Sequence, residues 1–148
     1  MNQAGKKTNG RGVRIAVEDE SVVVDLYVMI RYGYAIPEVA EKIRPAGGEV
    51  LPVVSDISKA EDAKKVLDAT LSAFGKVDVL VNNAGGALKI PEGGFMDMPM
   101  DYWDSQIDLN LNSAAYCSRY AVEDMIKKGI KGKIVNISSI HSKVTWVR

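Results

Sequence analysis

Four short polar clusters close four apolar runs in this sequence of 148 residues. Asp25 closes SVVVD, Asp56 closes LPVVSD, Asn82-Asn83-Ala84-Gly85 follows VDVLV, and Ser138-Ser139 follows KIVNI. Carboxylates, amides and hydroxyls of this kind exchange hydrogen bonds with a polar ligand. Gly85, with Gly86 behind it, lets backbone approach that ligand closely. The set reads as a cradle for a flat, polar, multi-ring ligand rather than for a metal. The chain has one cysteine, Cys117, and one histidine, His141. One cysteine leaves no disulfide framework and no multi-cysteine metal site. A Ser-His-Asp triad would have to use His141 itself.

The elements that must position these groups follow from periodicity. Ser21 to Ile30 is β-branched and apolar apart from Asp25, and its length suits a buried strand. Pro37 opens a helix that Gly47-Gly48 stops, with Val39, Ala40 and Ile43 on one face. Val50 to Val54 is predicted as a second strand. Ser58 with Glu61 forms a capping box for the next helix. Its apolar stripe is Ala63, Val66, Leu67, Thr70, Leu71 and Phe74, and Gly75 ends it.

Val77 to Val81 is predicted as a third strand. Residues 87–100, with Pro91, Gly93-Gly94 and Pro99, read as loop. A long helix is expected from Asp101 to Lys128, with Trp103, Ile107, Leu111, Ala114, Ala115, Ser118, Val122 and Met125 on one side. Lys133 to Ile137 is predicted as a fourth strand. Cys117 reads as core filler beside Tyr116.

Alternating strands and helices predict a partial, doubly wound, three-layer α/β sheet with parallel strands, in one domain over 1–148. Uninterrupted apolar strands such as VDVLV agree, because parallel strands are covered on both faces. In such sheets ligands bind beyond the carboxyl ends of the strands, where the four clusters fall.

Bulk composition removes whole function classes. Nineteen basic and nineteen acidic side chains cancel, so a strongly basic nucleic-acid binder is not expected. The sequence has no run long and apolar enough to span a membrane, nor a secretory h-region at its start. A reducing, cytoplasmic setting is the expectation. Residues 1–12 read as a solvated terminus, with a phosphate-facing loop as the sharper alternative.

In the order given, VVVDL, AEKIRPAGGEV, LPVVSDIS, FGKVDVLVNNAGG, the LNL of Leu109–Leu111 and GKIVNISS resemble the short-chain dehydrogenase/reductase family over about Ser21 to Trp146. SSIHSKVTW and MPMDYWDSQIDLNL resemble its bacterial glucose 1-dehydrogenase branch. The resemblance implies an oxidoreductase that moves a hydride between NAD(P) and a carbonyl or secondary alcohol, such as a sugar or polyol. It implies that Asp56 meets the adenine amino group with Ile57 beside it. Asn83, Ala84 and Gly85 line the cofactor ribose, and Asn82 pins the strand. Ser139 is implied as the catalytic serine, and Asn110 as the residue whose backbone holds a proton-relay water. Asp25 sits where dinucleotide folds place the acid for the adenosine ribose hydroxyls, which favours NAD over NADP. The Asp101–Lys128 helix corresponds to one that the family uses for oligomer packing, which implies a homo-oligomer.

Two departures stand against the pattern. Only Gly10 and Gly12 match the family's three spaced glycines, and Asp25 follows Gly10 by 15 positions, fewer than the roughly 20 expected. The preceding apolar strand is missing. A Tyr-x-x-x-Lys pair, the family's general acid/base and its partner, does not occur in the 148 residues. Tyr32, Tyr34, Tyr102, Tyr116 and Tyr120 lie upstream in other elements. The expectation is therefore a truncated, weakly active or inactive member. The alternative is a non-catalytic dinucleotide-binding or subunit-interaction fragment.

Overall fold

The computed structural model of the chain describes residues 23–24, 41, 44–46, 49–86 and 95–144. Its sheet has three parallel strands in the order β1 (Val23–Val24), β2 (Val79–Asn82), β3 (Lys133–Asn136). Val79 pairs with Val23 on one side and Lys133 on the other, and the register runs on to Asn82 opposite Asn136. The partial doubly wound α/β class is therefore the observed one. Of the expected strand Ser21–Ile30, only Val23–Val24 lies within the described residues. Of the expected helix from Pro37, only Glu41 and a 3₁₀ turn at Arg44–Ala46 do.

Helix α1 (Ala60–Phe74) forms on the expected stripe: Ala63, Val66, Leu67 and Thr70 are buried. Glu61 and Asp62 lie in its first turn, where carboxylates suit the helix dipole. Gly75 ends it in the left-handed region at φ 78°, its N–H donating to the Leu71 carbonyl at 2.9 Å. The capping box does not form. Lys59 is the N-cap and makes no side-chain cap. The Ser58 hydroxyl instead donates to Asp56 Oδ1 at 2.6 Å, so it is taken up by the preceding turn.

A second departure is Val50–Val54, which is not a strand. No strand among the described residues runs alongside it, and an unpaired strand has no partner for its backbone donors and acceptors. Val54 is 89% exposed, while Val53 packs against the core.

From Met100 to Lys128 the chain is helical throughout, in three pieces. These are α2 (Met100–Ile107), a π-helical turn (Asp108–Asn112) and α3 (Ser113–Lys128). Met100 thus belongs to the helix, with Pro99 as its N-cap, and Gly129 closes the helix at φ 67°. The core-facing side agrees with the expected one at Met125, and Cys117 is the core filler expected, but elsewhere it differs. Leu109, Ser113, Cys117, Ala121, Asp124 and Met125 are buried, whereas Trp103, Leu111 and Val122 are exposed. An α-helix turns about 100° per residue, so the wider π turn rotates every later side chain relative to a continuous α-helical count.

One core joins these elements: Ile57, Ala63, Val66 and Leu67 with Val77, Leu80, Cys117, Ala121 and Met125. Helices α1 and α3 therefore share one layer. Val79 points to the other face by strand alternation and is also buried, at 6% exposure. Among the described residues no helix is long and apolar enough to cross a membrane.

Candidate functional site

Strand β2 ends in a sharp change of direction. The Asn83 N–H donates back to the Val81 carbonyl at 3.1 Å, while the Asn82 carbonyl accepts the Ile137 N–H at 2.9 Å. The first bond turns the chain out of the sheet, and the second keeps β3 alongside to its tip. A shallow, solvent-open crevice lies between this tip and the start of α3. It is lined by Ile57, Val81, Asn82, Asn83, Ala84, Ser113, Ala114 and Cys117. Three expected binding residues, Ile57, Asn83 and Ala84, thus meet in one place. Cys117 is 1% exposed, and burial pushes its thiol pKa up to about 11, so it is present as a neutral thiol.

Asp56 stands one residue from Ile57. Its Oδ1 accepts from the Ser58 backbone N–H at 3.3 Å and from the Ser58 hydroxyl at 2.6 Å, and Lys59 Nζ lies 3.7 Å from Oδ2. A carboxylate has about four acceptor positions, so capacity remains for a further donor.

Gly85 follows the crevice and faces the π turn. A Cβ added there would lie 2.9 Å from Asn110 Oδ1, closer than real Cβ contacts. A side chain at position 85 would therefore force the Asn110 amide to shift. Asn110 Oδ1 accepts the Gly86 N–H at 2.8 Å, and its Nδ2 donates to the Gly86 carbonyl at 3.0 Å and to the Gln106 carbonyl at 3.0 Å. The sequence explains why the helix widens here. Asn110 bonds a carbonyl four residues back, Ser113 Oγ donates to the Leu109 carbonyl at 2.6 Å, and Asn112 Nδ2 donates to Asp108 Oδ1 at 2.7 Å. Short polar side chains that bond back along a helix compete with its regular ladder and bend it. π turns of this kind recur at functional sites.

The second strand tip carries Ser138 and Ser139. Both are exposed, and the Ser139 carbonyl accepts the Ser142 N–H at 3.0 Å as the chain enters a 3₁₀ turn at Ile140–Ser142. Because β2 and β3 are parallel and in register, Asn82 and Asn136 stand side by side. Asn82 Nδ2 donates to Asn136 Oδ1 at 2.8 Å and to Ser118 Oγ at 2.9 Å. The expected pinning role of Asn82 thus has named partners.

Gly10, Gly12 and Asp25 lie outside the described residues. Sequence reading missed Asn136, Ser118 and Gln106. An asparagine inside the apolar run KIVNI was the available signal for Asn136.

A family model described as short chain dehydrogenase matches residues 9–148. The chain is 36% identical over 109 residues to glucose 1-dehydrogenase 2 of Bacillus subtilis (strain 168), covering 72% of this chain and 41% of that protein. A mutant form of a Serratia marcescens short-chain dehydrogenase/reductase matches with a TM-score of 0.65 at 28% identity, over 78% of this chain and 46% of that one. NADH-dependent reductase A1-R′, solved in complex with NAD, shares the fold with a TM-score of 0.64 at 24% identity, over 72% of this chain and 45% of that one. The chain spans less than half the length of each of these proteins.

Proposed function

The chain belongs to the short chain dehydrogenase family, and on that premise we propose that it carries the nucleotide-binding half of an NAD(P)-dependent oxidoreductase. The substrate class is a carbonyl or secondary alcohol, with a sugar or polyol suggested by the glucose dehydrogenase relative. The observation that carries this reading is the crevice where Ile57, Asn83 and Ala84 meet at the carboxyl end of a parallel strand. A structure of the same fold holds NAD, which agrees.

In this reading Asp56 receives the adenine amino group, and Asn83, Ala84 and Gly85 border the ribose. From their places in the sequence, Gly10 and Gly12 approach the pyrophosphate, and the Asp25 carboxylate favours the ribose hydroxyls of NAD over a 2′-phosphate. Ser139 donates a hydrogen bond to the substrate oxygen. The Asn110 backbone holds a relay water, and its side chain is already committed to Gly86. When bound, the nicotinamide supplies or accepts the hydride. The 148 residues contain no Tyr-x-x-x-Lys to move the matching proton, so by themselves they are expected to bind nucleotide and turn over little. The one cysteine, buried and neutral, suits a reducing cytoplasmic setting.

The test is calorimetric titration with NAD and, separately, NADP. Saturable heat with NAD, and weaker binding of NADP, is the expected result. No heat at millimolar NAD would overturn the reading.

The exposed side of the Met100–Lys128 helix supports a second role, pairing with another copy of the chain. Trp103, Leu111, Val122 and Ile126 are exposed along it, at 42%, 61%, 37% and 75%. Its charge is polar along the axis: Asp101 and Asp104 are exposed near the start, Lys127 and Lys131 at and beyond the end. Two copies crossing antiparallel about a two-fold axis bury the apolar side chains and set acids against lysines.

A further inference from the structure

Asn82 has two amide hydrogens, and both are spoken for. One goes to Asn136 Oδ1 on β3 at 2.8 Å and the other to Ser118 Oγ on α3 at 2.9 Å. The three residues come from three different elements, 36 and 54 positions from Asn82. Asn82 is the last residue of β2, immediately before Asn83-Ala84-Gly85. Asn136 is the last residue of β3, two residues before Ser138-Ser139. The bond between them is a cross-strand pair at the tips of neighbouring strands. That pair alone leaves the Asn82 amide free to rotate about its last side-chain bond. The Ser118 hydroxyl removes this freedom, because a planar amide with both hydrogens engaged has one orientation. Ser118 also follows Cys117, which lines the crevice, so the tether joins the helix wall to both tips.

We propose that Ser118 is a positioning residue: through Asn82 and Asn136 it sets the separation of the two strand tips that carry Asn83-Ala84-Gly85 and Ser139. The inference rests on the nucleotide-binding reading for its meaning, but the tether is testable without it. Ser118 does not line the crevice. It acts by holding one amide still.

The experiment compares the wild-type chain with Ser118→Ala, Ser118→Thr and Asn136→Leu by ¹⁵N–¹H NMR, with NADH titration on the same samples. In wild type the Asn82 side-chain hydrogens exchange slowly with water. In Ser118→Ala they exchange faster, and the backbone amides of Asn83, Ala84, Ser138 and Ser139 shift together. Threonine keeps the hydroxyl, so Ser118→Thr restores both signatures. NADH binds about fivefold more weakly to Ser118→Ala, whose urea midpoint also falls because the lost hydrogen bond is already made in the free chain, and Ser118→Thr recovers both. Shifts confined to the neighbours of residue 118, with both tips unmoved, would overturn the proposal. So would fast exchange of the Asn82 amide in the wild-type chain, which needs no variant to fold. Absence of NADH binding in wild type would sink the nucleotide reading, while the NMR signatures would still decide the role of Ser118.

Discussion

The Asn110 side-chain amide closes a two-bond ring on the peptide of Gly86, accepting its N–H at 2.8 Å and donating to its carbonyl at 3.0 Å. A side-chain amide thereby takes the place of a strand neighbour for the chain leaving β2. The ring also holds Asn110 Oδ1 against Gly85, where an added Cβ would lie 2.9 Å away. Gly85→Ala is expected to destabilise by about 1–3 kcal/mol through overpacking. Asn110→Ala is expected to cost about 1 kcal/mol through lost hydrogen bonds. Their effects are coupled, because removing the amide removes the obstacle. The double variant should be less destabilised than the two losses together by at least about 0.5 kcal/mol. Urea unfolding of the four proteins measures this, and strict additivity would refute the contact.

Much of this arrangement is legible in the sequence, for physical reasons that can be named. Helix α1 has a long uninterrupted stripe ended by Gly75, and nothing in its length disturbs the 3.6-residue period. The strands β2 and β3 appear within a residue or two of Val77–Val81 and Lys133–Ile137: β2 starts on two buried apolar residues, as a strand covered on both faces does, while β3 carries the apolar pair Ile134-Val135 although most of it is exposed. The buried side of the Met100–Lys128 stretch is not legible, because Asn110, Asn112 and Ser113 bond back along the helix and widen one turn. Ser113 and Asp124 then occupy core positions that hydropathy assigns to solvent, while Leu111 and Ile126 face outward. Val50–Val54 has strand composition but no strand beside it among the described residues, and a strand is a property of a pair. For the site, Asn83, Ala84 and Ile57 could be named in advance. The tether through Ser118 could not, since Ser118 and Asn136 lie 36 and 54 residues from Asn82 in sequence.

Gly132, at the approach to β3, is held by packing. A Cβ there would collide with the Met125 side chain and lie 3.0 Å from the Asp78 carbonyl. That carbonyl also accepts the Lys133 N–H at 2.9 Å, so it is fixed by the sheet it helps to begin. Met125 is flexible and can yield, whereas the carbonyl cannot move without disturbing β3. Gly132→Ala is expected to cost about 1–3 kcal/mol. Gly132→Ala combined with Met125→Ala should recover only part of that strain. A thermal melt of Gly132→Ala matching wild type would contradict the packing.

The proposed antiparallel pairing makes a prediction about ionic strength as well as shape. Ile126→Lys places a charge on the most exposed residue of the apolar stripe, at its C-terminal end, and should lower the sedimentation mass from dimer to monomer. Lys127→Glu leaves the stripe intact but reverses one charge at its end. It should weaken association, and high salt should narrow its gap from wild type, because exposed charges are screened within about 10 Å at 0.1 M. A wild-type chain that sediments as a monomer at high concentration would dispose of the interface.

Cys117 links burial to alkaline stability. Its thiol pKa is pushed up to about 11 by desolvation, against an ordinary value of 9.0. Below the ordinary value both folded and unfolded chains hold the proton, and the shift has no effect on stability. Between the two values the unfolded chain releases the proton and the folded chain keeps it, so stability falls as pH rises, by up to about 1.4 kcal/mol per pH unit. Above the folded value the loss is complete. Lysines and tyrosines titrate in the same range, so the measurement is a difference. Urea midpoints of wild type and Cys117→Ala are followed from pH 8 to pH 11, where the wild type should lose stability more steeply. Cys117→Ala also leaves a small cavity beside Ala121 and Val66, a fixed cost that lowers its curve without changing the slope. Parallel curves across this range would mean that the thiol titrates normally and that the wall of the crevice is open to water.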